Sequence, residues 1–250
     1  MNNQPIFITD VSMLTPSQLY ISSEKLKNVQ SWFDGDMEKM NPIPIKKLAG
    51  RFLITDGHTR VTAAYLCGIK SIPCVWDTDD MDWAAYAADI NICAEEGITS
   101  VDALSKRIVS GADYKTLWQD RCEAMYDEWY YKMLRQKDEV IFFTRQMTAG
   151  VSYDVRPIDI GISEGEYFQM YVDDIPVARG CIERYSYEFW EAADIRTSPE
   201  FRCLGYGHAI TVFLTNQIVS CGKTATCRTL PENNGMNRII ERCGYKKLYE

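Results

Sequence analysis

Apolar residues fall at two spacings along this chain, and the spacing changes twice. In residues 1–78 they come in short runs of strand length: Ile43-Pro44-Ile45, Phe52-Leu53-Ile54 and Ile72-Pro73-Cys74-Val75-Trp76. Between the last two, Thr59 to Leu66 predicts a helix that ends near Gly68. Residues 79–138 contain no proline and switch to helical spacing, with Trp83, Tyr86, Ala87, Ile90 and Cys93 on one face. Ser100 is placed to cap a second helix carrying Val101, Leu104 and Ile108. Tyr114, Leu117, Cys122, Met125, Trp129, Met133 and Leu134 form a third apolar face. Residues 139–250 then mix both periods. Tyr167–Val172 and Val177–Ile182 read as strands around an Asp173-Asp174-Ile175-Pro176 turn. Phe189–Thr197 and Thr224–Leu230 read as two more.

This pattern predicts an α+β chain in three parts, with boundaries at 1–78, 79–138 and 139–250. A length of 250 residues suits more than one compact unit. Hydrophobic residues make up 46% and charged residues 25%, as in ordinary globular proteins. No apolar run approaches the ~18–20 residues of a membrane span. The polar start Met1-Asn2-Asn3-Gln4 does not read as a secretion signal. Nine scattered cysteines, none in a Cys-x-x-Cys pair, speak against a disulfide framework or structural zinc and for a reducing cytoplasm. With two histidines, His58 and His208, a multi-histidine metal site is excluded. The net charge of −8 disfavours general binding to nucleic acid, since phosphate neutralisation supplies most of that affinity.

After the Phe189–Thr197 run comes Arg202-Cys203-Leu204-Gly205-Tyr206-Gly207, followed by a helical pattern with Ile210, Phe213, Leu214 and Ile218. Glycines between a strand and a helix start let a ligand approach the backbone, and the helix N-terminus favours an anion such as pyrophosphate. Short glycine loops also occur simply to turn the chain. Further on, Pro231-Glu232-Asn233-Asn234 precedes a helix carrying Met236, Ile239, Ile240 and Cys243, ended by Gly244, with a strand at 245–249. This order over about 110 residues resembles the GNAT superfamily of N-acetyltransferases. The resemblance implies an acetyl-CoA-dependent transfer to an amine of a small molecule or protein. It maps the pyrophosphate loop onto Arg202, Cys203, Leu204, Gly205, Tyr206 and Gly207. It maps a cofactor contact onto Asn233 and the strand facing the pantetheine arm onto Ile195, Arg196 and Thr197.

An amine must lose a proton before it attacks a thioester. Glu191 lies eleven residues before Arg202, the offset of the general base in the histone-acetyltransferase branch of that superfamily. Its sequence neighbours Phe189, Trp190, Ala192 and Ala193 predict an apolar setting that would raise its pKa. A strand Glu facing solvent is the plain alternative, and Asp194 is the second candidate base. One position departs from the resemblance: where relatives carry a Tyr to protonate the leaving thiolate, this chain has Ile240.

In the N-terminal part, Asn41-Pro42-Ile43-Pro44-Ile45 is followed by Asp56-Gly57-His58-Thr59-Arg60 at a helix start and then Ser71-Ile72-Pro73-Cys74-Val75. Helix-start amides with Thr59 and Arg60 have the chemistry to hold a phosphate. A capped helix with Arg60 on its surface explains the same residues. The stretch resembles the ParB/sulfiredoxin-like domain, which implies a nucleotide triphosphate at Gly57, His58, Thr59 and Arg60. His58 stands where sulfiredoxins have their catalytic Cys, so sulfinic acid reduction is not expected. The 79–138 helices follow where ParB proteins place a DNA-binding module, but acids such as Asp79, Asp80, Asp82, Glu95 and Glu96 argue against a phosphate-facing surface. They read as a linker module. The alternative overall reading is a ParB-like nucleotide- or DNA-associated regulator whose GNAT-like part senses CoA.

Overall fold

The structure, a computed structural model, describes residues 5–125, 131, 139–161 and 165–248. The chain divides into two compact units, Met1–Arg135 and Gln136–Leu248.

The first unit is built on β1 (Phe7–Asp10), β2 (Leu14–Thr15), β4 (Ile43–Leu48), β5 (Arg51–Ile54) and β6 (Ser71–Trp76), in the order β1-β6-β4-β5-β2. The sheet is mixed: β1/β6 and β4/β5 are antiparallel, β4/β6 and β2/β5 parallel. β4 alternates over its first four residues, with Ile43 and Ile45 buried and Pro44 and Lys46 half-buried. Helices α1 (Ser23–Trp32) and α2 (His58–Leu66) pack on each other and, with α3 (Trp83–Glu95) and α4 (Val101–Ser105), share one core. Ser100 caps α4 through its Oγ, which accepts the Ala103 N–H at 3.2 Å.

The described residues of the expected 79–138 linker therefore do not stand apart. Ile92, Cys93, Ile98, Val101, Leu104, Tyr114 and Trp118 are buried together with Val11, Ile43, Ile54 and Val61. Two local expectations are corrected as well. Ile108 leaves the helix and, as β7 (Ile108–Val109), pairs in parallel with β3 (Ile21–Ser22). The third apolar face is rotated: α5 (Gly111–Tyr114) runs into a π-helical turn at Lys115–Gln119 before α6 (Asp120–Met125). The added residue per turn carries Trp118 into the core and leaves Leu117 44% exposed. Trp129, Met133 and Leu134, and the side chain of Met125, lie outside the described residues.

The second unit is a seven-stranded sheet made of β8 (Val140–Thr144), β9 (Asp154–Ile158), β10 (Glu166–Val172), β11 (Ile175–Glu183), β12 (Phe189–Thr197), β13 (Thr224–Thr229) and β14 (Lys246–Lys247). The order is β14-β8-β13-β12-β11-β10-β9. The β10/β11 turn is tighter than expected: Asp173 and Asp174 alone make it, both at positive φ (50° and 59°), and Ile175 already pairs with Val172. β8, which begins the unit, inserts between β13 and β14. Its partners lie about 80 and 100 residues further along the chain, a pairing that leaves no local signal in sequence. Helices α7 (Tyr206–Ser220) and α8 (Asn234–Arg242) pack on this sheet through Ile210, Leu214, Ile218 and Ile240. The expected closing strand is short, and Tyr249 lies outside the described residues.

Candidate functional site: an arginine-lined cleft

The parallel pair β12/β13 is joined only at one end. Phe189–Glu191 pair with Thr224–Thr226, after which β13 keeps its partner β8 while β12 continues to Thr197 without β13. On its other edge β12 stays paired with β11, but with a bulge: Arg179 faces Arg196, whereas Cys181 faces Ala193. Asp194 sits in that bulge at φ 45°, a conformation few non-glycine residues adopt. Its carboxylate draws in two guanidiniums, Arg196 at 2.6 Å and Arg179 at 3.3 Å.

β12 leads through a short 3₁₀ turn into the glycine loop. Gly205 takes φ 91° directly before α7, which a side chain would strain. Gly207 has no room to spare, because a Cβ there would lie 3.1 Å from Thr197 Oγ1 and 3.3 Å from Ile239 Cδ1. The loop is braced by aromatic contacts of Tyr206 with Tyr153 and Phe201, with ring centroids 5.7 and 6.3 Å apart.

These parts enclose an open cleft of about 880 Å³. Of the residues expected to hold a cofactor, Ile195, Arg196, Thr197, Arg202, Cys203, Gly205, Tyr206 and Gly207 line it. Leu204 and Asn233 do not. Leu204 is 61% exposed, and Asn233 caps α8 by accepting the Met236 N–H at 3.1 Å. Sequence reading missed Arg179, His208, Arg238 and Arg242, which also line the cleft. The signal that could have found Arg238 and Arg242 is their i, i+4 spacing on the last helix. Arg179 reaches the cleft through sheet register, which leaves no trace in sequence. The lining thus carries five arginines and one histidine, with no carboxylate among the described residues. Burial, then the field of Arg242, holds His208 below its ordinary pKa.

Glu191 is elsewhere. It is buried, does not line the cleft, and is gripped by Arg228, with contacts of 2.7 to 2.9 Å. The apolar setting inferred from its sequence neighbours is corrected by this partner, which stands on the adjacent strand. Burial disfavours a charged Arg228, but the hydrogen bonds and charge of Glu191 outweigh it and raise the guanidinium pKa. Tyr185 lies beside the pair, its hydroxyl 2.9 Å from Thr226 Oγ1. Ile240 is fully buried in the core of the unit.

In the first unit, Gly57 (φ 85°) precedes α2 as expected, and Arg60 folds back over it. Its guanidinium donates to the Asn41 carbonyl and to Asp56, both at 3.0 Å. His58 points inward, where its Nε2 accepts the Ser17 N–H at 3.0 Å. Burial lowers its pKa to about 4, and the nearby Asp56 only partly opposes this. Two of the four residues expected to touch a nucleotide are thus already engaged within the protein.

No helix among the described residues is long and apolar enough to cross a membrane. No protein family pattern matches the chain, and no curated protein does. Among solved structures, it is similar to a GCN5-related N-acetyltransferase from Kribbella flavida, at 16% identity and a TM-score of 0.37, over 44% of this chain and 54% of that one. It is also similar to an acetyltransferase of the GNAT family from Colwellia psychrerythraea, at 15% identity and a TM-score of 0.38, over 48% of this chain and 59% of that one. The chain spans little more than half the length of these two proteins.

Proposed function

We propose that the second unit binds acetyl-CoA and transfers its acetyl group to an amine of a small molecule or protein. The cleft carries this reading: five arginines and, among the described residues, no carboxylate, in a protein of net charge −8, at a glycine loop that opens a 15-residue helix. Charge-assisted hydrogen bonds from arginine, backbone amides and the helix dipole suit a pyrophosphate together. Among the described residues, β12 beyond Glu191 has no strand paired on its β13 side, which suits the amides of an extended arm. A thioester supplies an acyl group already activated toward an amine.

The chain's own part is to hold the anion at Arg202 and the loop, to align the arm along Ile195–Thr197, and to accept the proton of the ammonium. Glu191 is the proposed base by chain position alone; its carboxylate lies outside the cleft lining and is held by Arg228, the arrangement of a strand anchor, which is the alternative role. The test is a thermal shift scan with CoA, acetyl-CoA and desulfo-CoA. A ligand at ~100-fold its dissociation constant stabilises the folded state by about 2.7 kcal/mol. No shift with any of the three sinks the proposal.

For the first unit, the proposal is a nucleotide triphosphate at residues 57–60. It is supported by the left-handed Gly57 turn, which presents the first amides of a nine-residue helix beside a guanidinium. The regulator reading, with a CoA-sensing second unit, differs from the enzyme reading by one outcome: binding of CoA without turnover of any amine.

A further inference from the structure

The cleft holds more positive charge than one pyrophosphate needs. Arg202 belongs to the glycine loop, and Arg179 and Arg196 are already shared with Asp194. That leaves Arg238 and Arg242. They stand one turn apart on α8, so they share a face, and like charges at that spacing repel. Both are exposed, both line the cleft, and neither has an ion-pair partner among the described residues. They flank Ile239, whose Cδ1 lies against Gly207, so the pair is held next to the loop itself. His208, on the first turn of α7, feels the charge of Arg242.

We infer that Arg238 and Arg242 form a second anion subsite, specific for a phosphate monoester carried on the same ligand as the pyrophosphate. The chemical class is a nucleoside 3′,5′-bisphosphate end, as in CoA. This rests on the CoA reading and sharpens it: the cleft distinguishes CoA from dephospho-CoA, which keeps the pyrophosphate and lacks the monoester. A dianionic phosphate between two guanidiniums relieves their repulsion and gains charge-assisted hydrogen bonds from both.

The test is calorimetry of the full chain with CoA and dephospho-CoA, on the wild type and on Arg238→Gln/Arg242→Gln. Glutamine keeps helix propensity, and both positions are exposed, so the fold should persist; circular dichroism checks that it does. The wild type should bind CoA about ten- to a hundredfold tighter than dephospho-CoA, the worth of one or two charged hydrogen bonds. The double variant should lose that preference, with CoA falling to the dephospho-CoA value and dephospho-CoA itself changed little. Equal binding of both ligands by the wild type overturns the subsite while leaving the CoA reading standing. So does a double variant that weakens both ligands equally. Failure of both ligands to bind the wild type overturns the CoA reading and the subsite with it.

Discussion

Glu191 and Arg228 form a buried ion pair at the end of the short stretch where β12 and β13 are joined. Nε of Arg228 lies 2.7 and 2.9 Å from the two carboxylate oxygens and Nη2 lies 2.7 Å from Oε2, with the two side chains 4% and 8% exposed. Glu191 pairs in register with Thr226, two residues before Arg228. The clamp therefore ties the strands at the point where they part.

That geometry yields a two-role test. Arg228→Ala leaves a carboxylate buried without a counter-charge and should cost about 3–5 kcal/mol in urea unfolding. Replacing both partners, as in Glu191→Leu/Arg228→Met, should recover most of the loss, since a packed apolar pair removes both desolvation penalties. Once an acceptor is in hand, rate separates base from anchor. If Glu191 is the base, Glu191→Gln lowers turnover about 100- to 10,000-fold, the loss shrinks as pH rises, and the double variant stays inactive. A double variant that regains both stability and turnover removes Glu191 from the chemistry.

Ile240 is fully buried against the core of the second unit. Ile240→Ala should lower stability by about 2–5 kcal/mol through the cavity it leaves. Ile240→Tyr should cost about 1–3 kcal/mol through overpacking. If Ile240→Tyr is neutral in stability and raises turnover, the new hydroxyl has reached the leaving thiolate, and the position faces the cofactor after all.

The first unit should lose stability as pH falls from 7 to 4. His58 is buried neutral, with its pKa lowered from 6.5 to about 4. Below pH 6.5 the unfolded chain takes up a proton that the folded one refuses, so unfolding is favoured progressively until pH passes 4. The contribution is of order 3 kcal/mol. Because carboxylates titrate in the same range, the measurement is a difference. Urea unfolding of wild type and His58→Gln at pH 7, 5.5 and 4 should show a shallower fall in the variant. Parallel falls would mean that His58 is not the group responsible.

Arg60→Ala should weaken nucleotide binding and leave CoA binding intact, read by calorimetry with the four common triphosphates. It should lower stability only slightly, by about 0.2–1 kcal/mol, because the contacts to Asn41 and Asp56 are exposed. A stability loss with no nucleotide bound by the wild type assigns Arg60 to closing the turn alone.

What the sequence determined by itself was local. The Phe189–Thr197 strand, the glycine loop, the starts of α7 and α8 and the Ser100 cap follow from periodicity, from residues suited to positive φ and from side chains that cap their own helix, all of which act within a few residues. Eight of the residues expected around the cofactor line one cleft because they are neighbours in the chain. The tertiary structure decided everything that depends on register between distant segments. Arg228 comes to Glu191 from the neighbouring strand, 37 residues away in sequence. Arg179 comes from β11, the α8 arginines from the far end of the unit, and β8 from its beginning. The same holds for the 79–125 helices, whose apolar faces were visible but whose partner, the N-terminal core, was not. A strand or helix carries its own period in its residues, but the charge that settles beside it is set by packing, and that is why Glu191 looked apolar in sequence and proved to be paired.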